Sequence, residues 1–161
     1  MNETLDRRIL TFEGVSLTYH TKEGETLAVK DLDFSVREGE FMAVIGPSGC
    51  GKTTVLSLAA GLLAPSAGEI TVRGKPARES AGKFGYMLQK DELFPWRTIE
   101  KNITLPLEIG KKNTAENREK AHSLAIKYGL GDFLHYYPVQ LSGGMRQRAP
   151  LIRTLAADPE T

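Results

Sequence analysis

The chain has 161 residues, 40% of them apolar and 25% charged, an ordinary balance for a globular protein with one core, or one core and a small insert. Twenty-one basic residues face twenty acidic ones, and the resulting net charge of +1 excludes an overall electrostatic footprint for nucleic acid or for an anionic membrane. No run reaches the length of a membrane-spanning helix, Met1-Asn2-Glu3-Thr4-Leu5-Asp6-Arg7-Arg8 lacks the order of a secretory signal, and one cysteine excludes an internal disulfide; the expected compartment is cytoplasmic.

Taken in chain order, Leu10, Phe12, Val15, Leu17 and Tyr19 are separated by polar or small residues. After the turn-rich Lys22-Glu23-Gly24-Glu25 the alternation resumes in Leu27, Val29, Leu32, Phe34 and Val36, which predicts antiparallel strands within residues 1–40. Glu38-Gly39-Glu40 reads as a turn. Phe41-Met42-Ala43-Val44-Ile45 is a continuous apolar run of strand length, as expected for a strand buried on both faces. From Lys52 to about Leu63, the spacing of Leu56, Ala59, Ala60 and Leu63 predicts a helix. Pro65-Ser66-Ala67-Gly68 reads as a turn, Glu69-Ile70-Thr71-Val72 as a short strand, and Phe84-Gly85-Tyr86-Met87-Leu88-Gln89 as another with Gln89 at its tip. Asn113-Thr114-Ala115-Glu116 resembles a capping box, and Ala121, Leu124, Ala125 and Tyr128 repeat at helical spacing. An amphipathic helix over 114–128 and a helical insert over 95–140 are expected. A last helix follows Leu141, with a kink expected at Pro150, where a ring replaces an N–H inside the helix.

Two Gly-rich elements carry the chemistry. Gly46-Pro47-Ser48-Gly49-Cys50-Gly51-Lys52-Thr53 fits G-x-x-x-x-G-K-[ST], and it lies between a predicted strand and a predicted helix as such a loop requires. Its glycines let backbone N–H groups close around phosphate oxygens, Lys52 reaches the outer phosphates, and the Thr53 hydroxyl is offered to Mg2+. Cys50 fills a position of the loop that tolerates small residues and is expected to react with alkylating reagents. In the second element, Leu141-Ser142-Gly143-Gly144-Met145-Arg146-Gln147, Ser142 and Gly144 open a helix whose hydroxyl and N–H groups can point at a phosphate.

With these motifs, Gln89, and Leu93-Phe94-Pro95-Trp96-Arg97-Thr98 after it, the chain resembles the ATP-binding subunits of ATP-binding cassette transporters over nearly its whole length. The flavour is nearest the importers of nitrate, sulfonate and taurine. The resemblance implies an α/β fold: a P-loop NTPase core with an N-terminal antiparallel β subdomain and a helical insert. Within one partial ATPase domain spanning 1–161, it assigns 1–40 to the β region, 41–94 to the core, 95–140 to the insert and 141–157 to the signature helix. It implies ATP and Mg2+ as cofactors. Gly46, Ser48, Gly49, Cys50, Gly51, Lys52, Thr53 and Thr54 would bind the nucleotide, and Tyr19 would stack on adenine. Lys52 and Gln89 would serve catalysis, Thr53 and Gln89 the metal, and Ser142, Gly143, Gly144 and Gln147 the nucleotide held by another copy. Implied partners are a second ATPase subunit, integral membrane permease subunits and an extracytoplasmic solute-binding protein, with no nucleic acid. The implied location is the cytoplasmic face of the cell membrane. Phe94, Pro95 and Trp96 match the place where the family docks a permease helix, the alternative being that Trp96 is core of the insert. His20 reads as a surface residue.

The family continues past its signature helix into an apolar strand ending in Asp-Glu, whereas this sequence reaches Asp158-Pro159-Glu160-Thr161 without one. Asp158 and Glu160 flank a proline turn and do not replace that pair, so the expectation is a piece of a longer ATPase that lacks its general base. A soluble, non-transport relative and a nucleotide-binding piece without hydrolysis are the other readings.

Overall fold

Strand alternation in the first part of the chain and helical spacing in the second produce two compact units, one holding residues 8–80 and the other residues 84–159. The computed structural model describes residues 8–22, 24–80 and 84–159. The N-terminal stretch 1–7, Glu23 of the predicted turn, residues 81–83, and Glu160 with Thr161 lie outside the described residues.

In the first unit, β1 (Arg8–Thr21) pairs antiparallel with β2 (Gly24–Arg37) on one side and with β3 (Ala67–Val72) on the other. The two-residue β4 (Lys75–Pro76) extends the sheet to the order β2-β1-β3-β4. Register places Phe12 opposite both Phe34 and Ile70, and the Phe12 and Phe34 rings stack with centroids 4.4 Å apart. Phe12, Val15, Leu17, Val29, Ile70 and Val72 are buried, as the alternation predicts, each burial being worth about 1.5–3 kcal/mol for the larger side chains. Gly68 lets β3 run against β1, since a Cβ there would overlap the carbonyls of Glu13 and Gly14.

Three expectations are corrected. Phe41-Met42-Ala43-Val44-Ile45 is not a strand; it belongs to no ladder, and Phe41 and Ile45 are 92% and 91% exposed. An apolar run supplies hydrophobicity but not hydrogen-bond partners, and the sheet of this unit is completed by β1 to β4. Residues 84–89 are irregular for the same reason. The helix after the loop, α1 (Lys52–Ala59), ends sooner than its apolar spacing suggested and buries Val55 and Leu58, leaving Leu56 half exposed. Of the predicted face Ala60, just past the helix, is buried, whereas within α1 the inward stripe, packed on β2, runs through Val55 and Leu58 instead of Leu56.

The second unit is helical: α2 (Ile99–Ile103), α3 (Leu105–Ile109), α4 (Ala115–Lys127) and α5 (Gly143–Ala156). Hydroxyl caps begin three of them, with Thr98, Thr114 and Ser142 accepting from the N–H groups of Lys101, Asn117 and Met145. Each such cap is worth about 1 kcal/mol. Helix α4 presents the predicted face, with Ala121 and Ala125 buried and Leu124 and Tyr128 packed against the core of Ile99, Ile103, Leu130, Leu141, Ala149 and Ile152. Helix α5 continues unbroken through the buried Pro150, so the expected kink does not interrupt it. The cost is the N–H that would have bonded the Arg146 carbonyl.

Substituting Pro150→Ala restores that donor. An interior proline costs about 3 kcal/mol, and losing two buried ring carbons costs about 0.8 kcal/mol each, so a net stabilisation of about 1–2 kcal/mol is expected. A higher denaturation midpoint at unchanged slope checks it; a lower midpoint shows that the ring packing outweighs the missing bond.

Candidate functional site

The loop from Gly46 to Gly51 turns on a hydrogen bond from the Cys50 N–H to the Pro47 carbonyl at 3.4 Å, with positive φ at Gly49 (80°) and Gly51 (90°). Gly51 is also the N-cap of α1, and a Cβ there would lie 2.5 Å from the Ala28 carbonyl of β2. Conformation and proximity both demand glycine, and the loop is thereby seated on the sheet. A glycine cap supplies no side-chain acceptor, and the first turn of α1 contains no acidic residue. The N–H groups and partial positive charge of this helix start are therefore available to an anion.

Lys52 curls over its own loop. Its ammonium donates to the carbonyls of Gly46 at 2.8 Å and Pro47 at 2.6 Å, and lies 3.6 Å from Cys50 Sγ. A phosphate oxygen entering the loop would replace these neutral carbonyl acceptors with an ionised one. Gly46, Ser48, Gly49, Cys50 and Thr53 are exposed along the loop and the helix start. Tyr19, 39% exposed on β1 and opposite Thr26 of β2, brings its hydroxyl within 3.4 Å of Thr54 Oγ1, a meeting of residues 35 positions apart. His20 points to solvent and pairs with Glu25 at 3.1 Å.

The donor set fits a nucleotide's phosphates, and the exposed Thr53 hydroxyl fits Mg2+, which keeps several waters and takes one or two protein oxygens beside phosphate. Among the described residues, no cluster of three or more His, Cys, Asp or Glu side chains suits a metal by itself. When bound, the ion would supply positive charge to the phosphate oxygens.

The remaining predicted residues lie in the second unit. Gln89 is exposed on irregular chain instead of at a strand tip. Ser142 caps α5, with Gly143, Gly144 and Gln147 exposed on its first turns. A Cβ on Gly143 or Gly144 would meet no atom within 4 Å, so packing within the chain gives no reason for glycine there. Glycine at a helix start that the fold leaves open suits close approach of something external. Trp96 is 72% exposed and is therefore not core; its ring and that of Phe94 lie 5.2 Å apart.

Three residues escaped the sequence reading. Asn102, wholly buried on α2, accepts from the Phe94 N–H and donates to the carbonyls of Phe94, Arg97 and Thr98. An amide between Ile99 and Ile103 in an apolar helix was its signal. Arg146 and Arg153 of α5 reach the chain just past Gln89; Arg146 stands inside the second Gly-rich element without a role of its own, and nothing local marks out Arg153 from other helix arginines.

A glycine-capped helix start with a lysine folded over its loop defines a phosphate-binding module of the P-loop class. The family model described as ABC transporter matches residues 29–161, and the chain belongs to that family, in its ATP-binding domain. It is 46% identical over 150 residues to the uncharacterized ABC transporter ATP-binding protein YtlC of Bacillus subtilis, covering 93% of this chain and 58% of that protein. It is 39% identical over 132 residues to the taurine import ATP-binding protein TauB of Yersinia pestis, covering 82% and 52%. The chain thus spans little more than half the length of these relatives. The dimeric structure of MJ0796, a bacterial ABC transporter cassette, superposes with a TM-score of 0.80 at 30% identity over 93% of this chain and 70% of that one. A post-hydrolysis dimer of the same cassette with ADP and Pi matches equally.

Gly51→Ala places a Cβ against the Ala28 carbonyl in a left-handed conformation. It should destabilise the chain by about 1–3 kcal/mol and weaken nucleotide binding. Thermal unfolding and titration with a fluorescent ATP analogue check this; unchanged values in both would show that the loop is not seated on β2.

Proposed function

We propose that the chain is the nucleotide-binding part of an ATPase subunit that powers a membrane importer of a small solute. The observation that carries this reading is the exposed helix start at Ser142–Gly144, where Ser142 caps the Met145 N–H and the two glycines leave room for an outside group. A phosphate loop alone is common to many NTPases, whereas a second uncrowded helix start suits a nucleotide shared between two copies.

In this reading the backbone of Gly46, Ser48, Gly49, Cys50 and Gly51, with Lys52, Thr53 and Thr54, holds the phosphates of Mg-ATP, and Tyr19 stacks on adenine. Thr53 and Gln89 are the metal-facing oxygens, and Gln89, able to donate and to accept, distinguishes nucleotide states. Ser142, Gly143, Gly144 and Gln147 of a second copy meet the γ-phosphate across a head-to-tail dimer. The Phe94-Pro95-Trp96 loop docks on permease subunits at the cytoplasmic face of the membrane, and an extracytoplasmic binding protein delivers the solute. Likeness to a taurine import ATPase supports an importer of this kind. In this reading none of the residues given a role above is a carboxylate or imidazole that could act as general base toward the attacking water, and residues 1–161 by themselves bind Mg-ATP weakly and turn it over negligibly.

Lys52→Ala should weaken binding of a fluorescent ATP analogue about tenfold or more, as loss of a charge-assisted hydrogen bond implies. Equal binding by both proteins rejects the nucleotide site, and robust phosphate release abolished by Lys52→Ala shows that the catalytic machinery is present after all. Gly144→Ala, whose methyl meets open space, should keep fold and nucleotide affinity while reducing ATP-dependent dimerisation in sedimentation; undiminished dimerisation removes α5 from the interface.

A further inference from the structure

Between Gln89 and the Phe94-Pro95-Trp96 loop the chain passes through a strained turn. Glu92 has φ 43°, a left-handed conformation that costs a residue with a side chain on the order of 1–3 kcal/mol unless its surroundings hold it. Arg153 of α5 supplies the hold, its guanidinium donating to the Glu92 carbonyl at 2.9 Å and to the Asp91 carbonyl at 3.3 Å. Beside it the Asp91 carboxylate accepts from the Leu93 N–H at 3.5 Å and lies 3.4 Å from Arg146 Nε, while Arg146 Nη1 donates to the Leu141 carbonyl. Burial pushes the Arg153 guanidinium down from the ordinary arginine range, opposed by the charges of Asp91 and Glu92. A partly buried arginine directed at two backbone carbonyls is an orienting device, because its planar fork fixes both distances at once.

The downstream end of the same segment is held from another helix. Asn102 of α2 directs its side-chain hydrogen bonds to Phe94, Arg97 and Thr98, and Arg97 forms a two-oxygen ion pair with Glu108 of α3. Residues 91–98 are thus anchored at both ends, to α5 and to α2, with the exposed Trp96 between the anchors. A segment held in this way moves with its anchors.

We propose that Arg153 is a positioning residue: its two bonds to the Asp91 and Glu92 carbonyls make the segment beyond Gln89 follow α5, so that nucleotide engagement is transmitted to the Phe94–Trp96 surface. This rests on the reading of Gln89 and the α5 start as nucleotide-facing. A purely structural Arg153, needed only to hold the Glu92 turn, makes a different forecast, because glycine at position 92 would then replace it.

Trp96 is the sole tryptophan, so its emission reports on this loop alone. In the chain of residues 1–161, saturating Mg-ATP should shift Trp96 emission, and Lys52→Ala should abolish both binding and shift. Arg153→Met should bind the fluorescent ATP analogue with unchanged affinity, melt at a lower temperature and lose the shift. In Arg153→Met with Glu92→Gly, the melting temperature should recover while the shift stays lost. A shift that persists in Arg153→Met, or returns in the double variant, overturns the proposal, since the arginine then only supports the turn. Wild-type binding without any shift overturns it too, while leaving the nucleotide site standing. Absence of binding by the wild type rejects the site itself and the proposal with it.

Discussion

An anion site made of backbone N–H groups works only if the protein leaves those groups unpaired, and that constraint shapes the first unit. At the start of α1 the cap is Gly51, which has no side chain to satisfy the helix's donors and which fits against the Ala28 carbonyl only because it lacks one. The short approach to β2 holds the loop in place of a cap. Lys52, resting on the carbonyls of Gly46 and Pro47, keeps an ammonium at the loop that an entering phosphate can take over. Adding a cap or an acid in this first turn would make a more stable helix and a worse anion site.

The second unit solves a different problem, that of keeping irregular chain in a definite shape. Short helices with hydroxyl caps enclose one small core, and the segment between Gln89 and α2 has no ladder of its own. Its backbone groups are met by side chains, chiefly those of Asn102 and Arg153, while Arg146 holds the Asp91 carboxylate. Among the described residues no buried side-chain nitrogen or oxygen lacks a partner, so this network is fully satisfied. Satisfied polar networks are directional in a way that apolar packing is not, and here they set the aim of an exposed aromatic pair.

What could be read from the sequence was what is local. The alternation of β1 and β2 and the spacing of Ala121, Leu124, Ala125 and Tyr128 in α4 record which face is buried, and the structure follows both except at the hairpin end, where Tyr19 and Leu27 are exposed. The Gly46–Thr54 loop was legible because its residue types answer a conformational and chemical need in consecutive positions. Phe41-Met42-Ala43-Val44-Ile45 was legible as apolar but not as a strand, since a strand is a relation between segments. The approach of Tyr19 to Thr54, and of Arg153 to Asp91 and Glu92, depends on register and helix placement, which no spacing rule encodes.

The exposed run from Phe41 to Ile45 carries a cost of its own. Five successive exposed apolar residues, outside any ladder and without charge or proline among them, offer both backbone hydrogen bonds and apolar side chains to any extended peptide. During synthesis this run leaves the ribosome well before α5, and chaperones that hold exposed apolar chain would find it first. In concentrated solution the same five residues, more than the nucleotide loop that follows them, would govern whether the chain stays dispersed.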